Sequence, residues 1–278
     1  MTILVFTAII FLGALVAGLL GALTGLGGGV VIIPLLTIVF KVDIHYAIGA
    51  SLVSVIATSS GAAAAYVKEG ITNIRLGMFL ELATTAGAIA GAWMATWLST
   101  SFIAILFGAV LILSAILSFV RLADPVLTGE PGILARKLRL NSSFPTPEGE
   151  QPYIVKHVAG GFLMMNVAGM ISGLLGIGSG ALKVIAMDNI MRVPFKVSTT
   201  TSNFMIGVTA AASVGIYLRR GYIDPGLSMP VVLGVLVGAF AGSKMLASAK
   251  TTSLKALFAL VILVLAAEMI YNGIKHNI

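Results

Sequence analysis

The chain has 278 residues, of which 58% are hydrophobic and 10% charged, which leaves too few polar side chains to cover a water-soluble fold. Its mean hydropathy of +1.07 excludes a soluble enzyme or binding domain and predicts an integral membrane protein. The net charge of +7 does not indicate a nucleic-acid partner, because the lysines and arginines lie mostly between apolar stretches, where membrane topology alone accounts for them.

The first predicted element is a long apolar stretch, 3–40, that glycines interrupt. At about 1.5 Å per residue, a continuous helix of this length is too long for one crossing of a hydrocarbon core about 30 Å thick. The glycine-rich break at 25–29 therefore predicts a helical hairpin or re-entrant pair with its turn there. The segment lacks the basic region of a cleaved signal, so we expect it to remain as the first helix.

Three apolar stretches follow this hairpin, at 47–67, 76–98 and 102–120. Each is about 20 residues long and predicts a transmembrane helix. The next segment is rich in proline and charge and predicts a linker between two halves. The predicted organisation is a first transmembrane repeat over 1–121, a polar linker over 122–153 and a second transmembrane repeat over 154–278.

The second half of the sequence repeats the first. With an offset of 151 residues and no gap, "GLGGG" aligns with "GIGSG", "YVKEG" with "YLRRG" and "GAIAGAWM" with "GAFAGSKM". This pattern predicts an internal duplication. Membrane proteins built from such repeats are typically transporters, with the substrate site where the two repeats meet.

The charge distribution predicts how the repeats are oriented. The linker region is expected in the cytoplasm because it is basic, with Arg121, Arg136, Lys137, Arg139 and Lys156. An inverted second half then places five lysines and arginines inside and three outside, and a parallel one reverses that count. The predicted fold is an all-α polytopic membrane protein with two inverted-topology repeats, each a broken helical hairpin followed by three transmembrane helices.

The two glycine breaks are the first candidate site. Irregular backbone inside a membrane is tolerated only against protein or a water-filled cavity, and a helix restarting after the break presents free N–H groups that suit an anion. Glycines can instead serve close helix packing, which we favour for "GAIAGA" and "GAFAG". Because the break recurs, we expect its residues to line a substrate site: Gly25, Gly27, Gly28, Gly29, Gly176, Gly178, Ser179 and Gly180.

Polar side chains near the breaks extend this candidate site. Lys183 lies in the first turn of the restarting helix, where its charge opposes the helix dipole, so an anion nearby would relieve the conflict. It could instead snorkel or pair with another helix. The helix after each hairpin is rich in hydroxyl groups, and we expect the following to contact substrate: Ser51, Thr201, Ser202 and Asn203. Ser54 and Thr58 are expected to bond back to their own helix.

The remaining ionisable groups yield two further candidates and no metal site. Glu81 and Glu268 lie within apolar runs and are either ion-coupling groups or interfacial residues near helix ends. The three histidines lie at helix ends or in linkers, and the chain has no cysteine, so we expect no metal ion. No phosphate-binding loop is present, so we expect no nucleotide and no other cofactor.

With these motifs the chain resembles the TauE/SafE sulfite exporter family over essentially its whole length. The resemblance rests on "GALTGLGGGVVIIPLL" and "AIGASLVSV", which recur in the two halves with a polar linker between them. Ala50 stands where the family usually has threonine, Thr201 and Ser202 keep the Thr-Ser pair, and Ser179 departs from an all-glycine loop. The resemblance implies export of sulfite, sulfonates or other small organosulfur or carboxylate anions across the bacterial inner membrane.

The sequence therefore predicts a multi-pass protein of the cell inner membrane that is a secondary transporter. We expect it to export a small anion by alternating access, with the lipid bilayer and that anion as partners, and a homo-oligomer is left open. An anion channel is the alternative, because both need a polar path. An intramembrane serine enzyme at Ser179 is disfavoured, since the chain offers no mid-membrane histidine and the equivalent residue in the other half is Gly28.

Overall fold

The computed structural model describes residues 3–24, 28–68, 70–117, 132–146, 149–246 and 251–275. The predicted site residues Gly25 and Gly27 lie outside these described residues. Helices form nearly all of the regular structure, in agreement with the predicted all-α membrane class. Over the described residues, the helices Ile74–Ala95, Val158–Leu175 and Phe195–Arg219 are long and apolar enough to cross a membrane, and further helices carry shorter apolar stretches.

The first half contains five elements in chain order. They are α1 (Ile3–Thr24), α2 (Gly29–Pro34), which continues as a π-helical turn (Leu35–Val39), α3 (Ile44–Lys68), α4 (Ile74–Ala95) and α5 (Thr100–Leu117). The start of α4 is fixed by Asn73, whose side chain accepts a hydrogen bond of 2.9 Å from the Leu76 N–H. This is the usual way in which an asparagine satisfies a free amide at a helix start.

The linker and the second half follow. The linker holds α6 (Ile133–Lys137) and the strands β1 (Ser142–Thr146) and β2 (Gly149–Tyr153), which pair antiparallel with Ser142 opposite Tyr153. The second half contains α7 (Val158–Leu175), α8 (Gly180–Ile185) with a π-helical turn (Ala186–Ile190), α9 (Phe195–Arg219), α10 (Pro225–Leu246) and α11 (Thr251–Ile274). The proline-rich and charged composition that predicted the linker gave no indication of these two strands.

Helix starts in the two halves correspond at the offset found in the sequence. Helices α2 and α3 begin at Gly29 and Ile44, and α8 and α9 begin 151 residues later. The same offset relates the starts of α4 and α5 to those of α10 and α11, and it relates both π-helical turns. Two sequences that have diverged at most positions thus keep the same starts for these four helices and for the π-helical turn.

The helices of the two halves pair across the molecule. Helix α4 packs against α7, and α1 packs against α10, while α3 lies against α9 and α5 against α11. Glycines allow backbone contact in the first two pairs: Gly169 lies against the Thr84 carbonyl, and Gly18 lies against the Val235 carbonyl. These two contacts are related by the same 151-residue offset. Gly87 and Gly91 of "GAIAGA" and Gly238 of "GAFAG" take part in these interfaces, in agreement with the packing role predicted for them.

Contact order along each pair gives its direction. In α4 and α7, Gly87 lies against Asn166 and Ala88 lies against Gly173, so the two helices run parallel. In α5 and α11 the contacts descend, because Gly108 meets Ile270 while Ile105 meets Gly273, so these helices run antiparallel.

Helices on either side of each break fold back on one another. Gly13 of α1 lies against Leu35, just beyond α2, so α1 and α2 run antiparallel. In the second half Gly161 of α7 lies against Met191, just beyond α8, with the same sense. Both short helices therefore return towards the end of the molecule from which the preceding helix started.

Candidate functional site

The second break is a turn with an unusual backbone. Gly176, Gly178 and Ser179 have φ angles of 68°, 72° and 42°, in the left-handed region that glycine adopts most readily. Ser179 is the exception in this run, and its hydroxyl donates a hydrogen bond of 2.5 Å to the Ala168 carbonyl of α7. This bond ties the turn to the preceding helix at the one position where glycine is replaced.

The turn meets the start of α2 from the other half. The Ser51 hydroxyl of α3 donates a hydrogen bond of 2.8 Å to the Gly176 carbonyl. A Cβ atom placed on Gly29 would lie 2.5 Å from the Ser51 oxygen and 3.1 Å from the Gly176 oxygen. The structure thus brings together three of the predicted site residues, Gly29, Ser51 and Gly176, at the point where the two halves meet.

Ser202 holds the same turn from the opposite helix. Its hydroxyl donates a hydrogen bond of 3.2 Å to the Gly180 carbonyl, and it corresponds to Ser51 at the repeat offset. The Ile206 side chain, one turn further along α9, packs against both Gly178 and Gly180. In this conformation the hydroxyls of Ser51 and Ser202 both donate their hydrogen bonds to backbone carbonyls of the turn.

Other predicted site residues lie elsewhere in the described structure. Thr201 accepts a hydrogen bond of 3.1 Å from the Asn73 N–H at the start of α4. Gly28 is buried before α2, and its carbonyl accepts the amides of Val31 and Ile32. Asn203 is half-buried on α9.

Lys183 has the most informative surroundings. It is fully buried, and its Nζ donates a hydrogen bond of 2.6 Å to the Thr209 hydroxyl. The Thr209 hydroxyl lies 2.7 Å from Glu81 Oε1 and 2.9 Å from the Met205 carbonyl, and it can donate to one of them at a time. We call Lys183, Thr209 and Glu81 the buried charge network. It links α8 and α9 of the second half to α4 of the first.

An uncompensated charge inside a membrane is costly, so the two charges of this network depend on one another. Glu81 is 8% exposed, and its Oε1 also accepts a hydrogen bond of 3.1 Å from Thr85. Glu81 Oε2 is buried and has no hydrogen-bond partner. The network therefore pairs one positive charge with one negative charge and leaves Glu81 Oε2 without a hydrogen bond.

Sequence reasoning missed Thr209. A helical-face argument could have found it, because Thr209 follows Ser202 by seven residues and so lies two turns further along one face of α9. The sequence left open whether Lys183 pairs with another helix. In this conformation it does so.

Glu268 has different surroundings from Glu81. It is exposed near the end of α11, and Asn272 donates hydrogen bonds of 2.9 Å to its carbonyl and 3.3 Å to its carboxylate. Glu268 therefore lies outside the buried charge network. Within the described ranges, no three histidine, cysteine, aspartate or glutamate residues come together in a way that could hold a metal ion.

The linker hairpin docks on the first turn of α4. The Asn73 amide donates hydrogen bonds of 2.7 Å to the Tyr153 hydroxyl and 2.9 Å to the Leu140 carbonyl. Tyr153 is buried, and this burial raises the pKa of its hydroxyl to about 12. On the second half, the Lys156 N–H donates to the Met191 carbonyl at 2.9 Å. The hairpin thereby docks on α4 of the first half, and the chain that follows it is bonded to Met191 of the second half.

A bundle of apolar helices that encloses irregular glycine backbone and a buried charge network has the features of a membrane transporter. The family model described as sulfite exporter TauE/SafE matches residues 10–269, and the chain belongs to that family of membrane transporters. The resemblance inferred from the glycine motifs is thus confirmed.

Three relatives from Bacillus subtilis (strain 168) have similar lengths and modest identity. The probable membrane transporter protein YunE is 28% identical over 97% of this chain and 98% of its own. YjnA, of the same description, is 30% identical over 95% of this chain and 99% of its own, and YdhB is 29% identical over 85% and 87%. No solved structure shows significant similarity to the chain.

Proposed function

We propose that the chain is a secondary transporter of a small anion such as sulfite, a sulfonate or another organosulfur compound. The observation that carries the proposal is a fully buried lysine, Lys183, three residues after a glycine turn deep in the bundle. Free backbone amides, a cation and neutral hydroxyls are the groups that bind an oxyanion and still release it. The family to which the chain belongs supports the organosulfur class.

We further propose that transport occurs by alternating access between two inverted repeats, 1–121 and 154–278. The shared element boundaries support a repeat, and the antiparallel course of α5 and α11 supports inversion. Corresponding helices run in opposite directions when the axis that relates the repeats lies in the membrane plane. Alternating access would then require the Ser51 and Ser202 contacts with the turn to break and reform.

The proposed setting is the cell inner membrane, with multiple crossings and with the basic linker, 122–153, on the cytoplasmic side. The proposed direction is export, and the proposed activity is transport without catalysis. A cytoplasmic linker hairpin would cover the end of the bundle from which an exported anion enters.

Flux measurement on purified protein in proteoliposomes tests this function. Vesicles loaded with sulfite, thiosulfate or ethanesulfonate should exchange it for labelled external anion, with saturable rates that internal anion stimulates. The Lys183→Gln variant, checked for native helicity by circular dichroism, should exchange at least tenfold more slowly. Rates equal to those of empty liposomes for all three anions would refute the proposal, and non-saturable flux without exchange would indicate a channel.

A further inference from the structure

We propose that Glu81 is a proton-binding site and that the transported anion replaces it as the counter-charge of Lys183. One proton would then accompany each monovalent anion, so that export is driven by the outward gradient of the anion and runs against an inward proton gradient. This inference rests on the proposed function as a small-anion transporter and assigns its coupling.

The ammonium group of Lys183 lies close to the glycine turn. A side chain on a helix leans towards the helix N-terminus, so Lys183 on α8 points back towards Gly180. Its partner Thr209 follows Ile206 by three residues, and Ile206 packs against Gly178 and Gly180. The ammonium is therefore within about one helical turn, roughly 5 Å, of the backbone proposed to hold the anion.

The unused oxygen of Glu81 is the place for the proton. Oε1 already accepts from Thr209 and Thr85, whereas Oε2 is buried without a partner. A proton needs only this one oxygen.

Lys183 is the charged group that reaches Glu81 through Thr209. Helix α7, which packs against α4, has no titratable side chain over Val158–Leu175. Other titratable groups on the neighbouring elements are Lys196, Tyr217 and Arg219 on α9 and Asp188 on the π-helical turn after α8. Lys196 and Arg219 lie near the two ends of α9, and the Tyr217 hydroxyl lies 3.2 Å from the Gly173 carbonyl.

Charge balance couples the two ligands. With Glu81 ionised and no anion bound, the network is neutral, and it is neutral again when Glu81 is protonated and a monovalent anion lies beside Lys183. Either ligand alone leaves one net charge in the membrane interior, which is unfavourable. When the site is open to one side of the membrane, a proton from that side binds to Oε2 of Glu81. The proton is released together with the anion when the site opens to the other side of the membrane. Only the two neutral states cross the conformational change readily.

Binding to the wild-type protein provides the first test. The probe is ethanesulfonate, which stays ionised across the working pH range, so any bound proton must be on the protein. Coupling of one proton to one anion predicts a Kd that rises tenfold per pH unit wherever Glu81 is ionised in the empty protein. Titration calorimetry in nanodiscs measures this slope without any substitution. A Kd independent of pH in the wild type would overturn the inference.

Two matched variants locate the proton. Glu81→Gln, which resembles the protonated carboxyl, should bind ethanesulfonate with a Kd that no longer depends on pH. Glu268→Gln makes the same chemical change at an exposed position and should keep the wild-type slope. A slope kept in Glu81→Gln, or lost in Glu268→Gln, would overturn the assignment.

Proteoliposomes with an entrapped pH dye provide the transport test. Wild-type vesicles should acidify as ethanesulfonate enters, and Glu81→Gln should retain anion exchange but lose net proton movement. Net uptake of ethanesulfonate by wild-type vesicles without acidification, or uptake driven by sodium, would overturn this inference and leave the proposed function standing. Absence of exchange for ethanesulfonate, sulfite and thiosulfate would overturn both.

Discussion

A methyl group added at Gly29, where the two halves meet, should break the contact between the first helical break and the second. In Gly29→Ala the new Cβ atom would lie 2.5 Å from the Ser51 hydroxyl oxygen, 3.1 Å from the Gly176 oxygen and 3.2 Å from Val55. The hydroxyl is the group that can yield, by rotating about its Cα–Cβ bond. Rotation removes its 2.8 Å hydrogen bond to Gly176, whose carbonyl is then left buried without a side-chain partner.

The size of the effect follows from this lost contact. An unsatisfied buried acceptor costs about 1–3 kcal/mol, and the greater helix propensity of alanine offsets up to about 1 kcal/mol. We therefore expect Gly29→Ala to lower the free energy of unfolding by about 1–2 kcal/mol. Ser51→Ala should cost a similar amount, and the double variant should cost about 1 kcal/mol less than the sum, because the hydrogen bond can be lost only once.

Unfolding by SDS in mixed micelles, followed by circular dichroism, measures these differences. Gly215→Ala is the matched control, because a Cβ at Gly215 in α9 meets no atom within 4 Å, and we expect no loss of stability. Additive costs for Gly29→Ala and Ser51→Ala would refute the reasoning, and so would a Gly29→Ala variant as stable as the wild type.

Three further predictions concern the charge network and the linker. Lys183→Met leaves Glu81 without its counter-charge and should destabilise the protein by about 3 kcal/mol or more, as measured by SDS unfolding. The Lys183→Met/Glu81→Gln double variant should recover stability, because the unpaired charge is also removed. Equal stability of the single and double variants would contradict this prediction. Asn73→Ala removes the α4 cap and both contacts with the linker hairpin, about 2–3 kcal/mol in total, and should speed proteolysis within 132–153; wild-type cleavage rates would count against it. Because the folded-state pKa of Tyr153 is about 12, above the ordinary value of about 10, its contribution to docking is complete below about pH 10 and is lost as the pH rises towards 12. A tyrosinate absorbance titration should show this release, and Tyr153→Phe should lack it; an identical alkaline transition in that variant would exclude the mechanism.

Features with a strong local cause could be predicted from the sequence. Apolar length identified the membrane class, and the glycine runs located breaks that the structure resolves as helix restarts at Gly29 and Gly180. The π-helical turns could not be predicted from a single residue. Pro34 precedes the first one, but Ile185 stands at the same place before the second, so proline is not their common cause.

Features set by distant contacts escaped prediction. The linker hairpin has little local preference for strands, with Pro145 in β1, and depends on contact of Tyr153 with Asn73, 80 residues earlier. Lys183 and Glu81 are 102 residues apart, and Thr209, which joins them, belongs to a third helix. No periodicity in one helix can reveal a network spread over three. Thr201 is predicted to contact substrate from its place in a hydroxyl-rich run, and that run does not reveal its hydrogen bond with the Asn73 N–H, 128 residues earlier.

The crossed pairing of α1 with α10 and α4 with α7 has a consequence for biogenesis. Helix α1 begins 222 residues before its packing partner α10, and the face of α1 that packs on α10 stays uncovered until the second half has entered the membrane. Each half therefore supplies the packing partners of helices in the other half, as the two chains do in a domain-swapped dimer. Two separately expressed halves should assemble into one functional unit, and either half alone should be a substrate for membrane proteases.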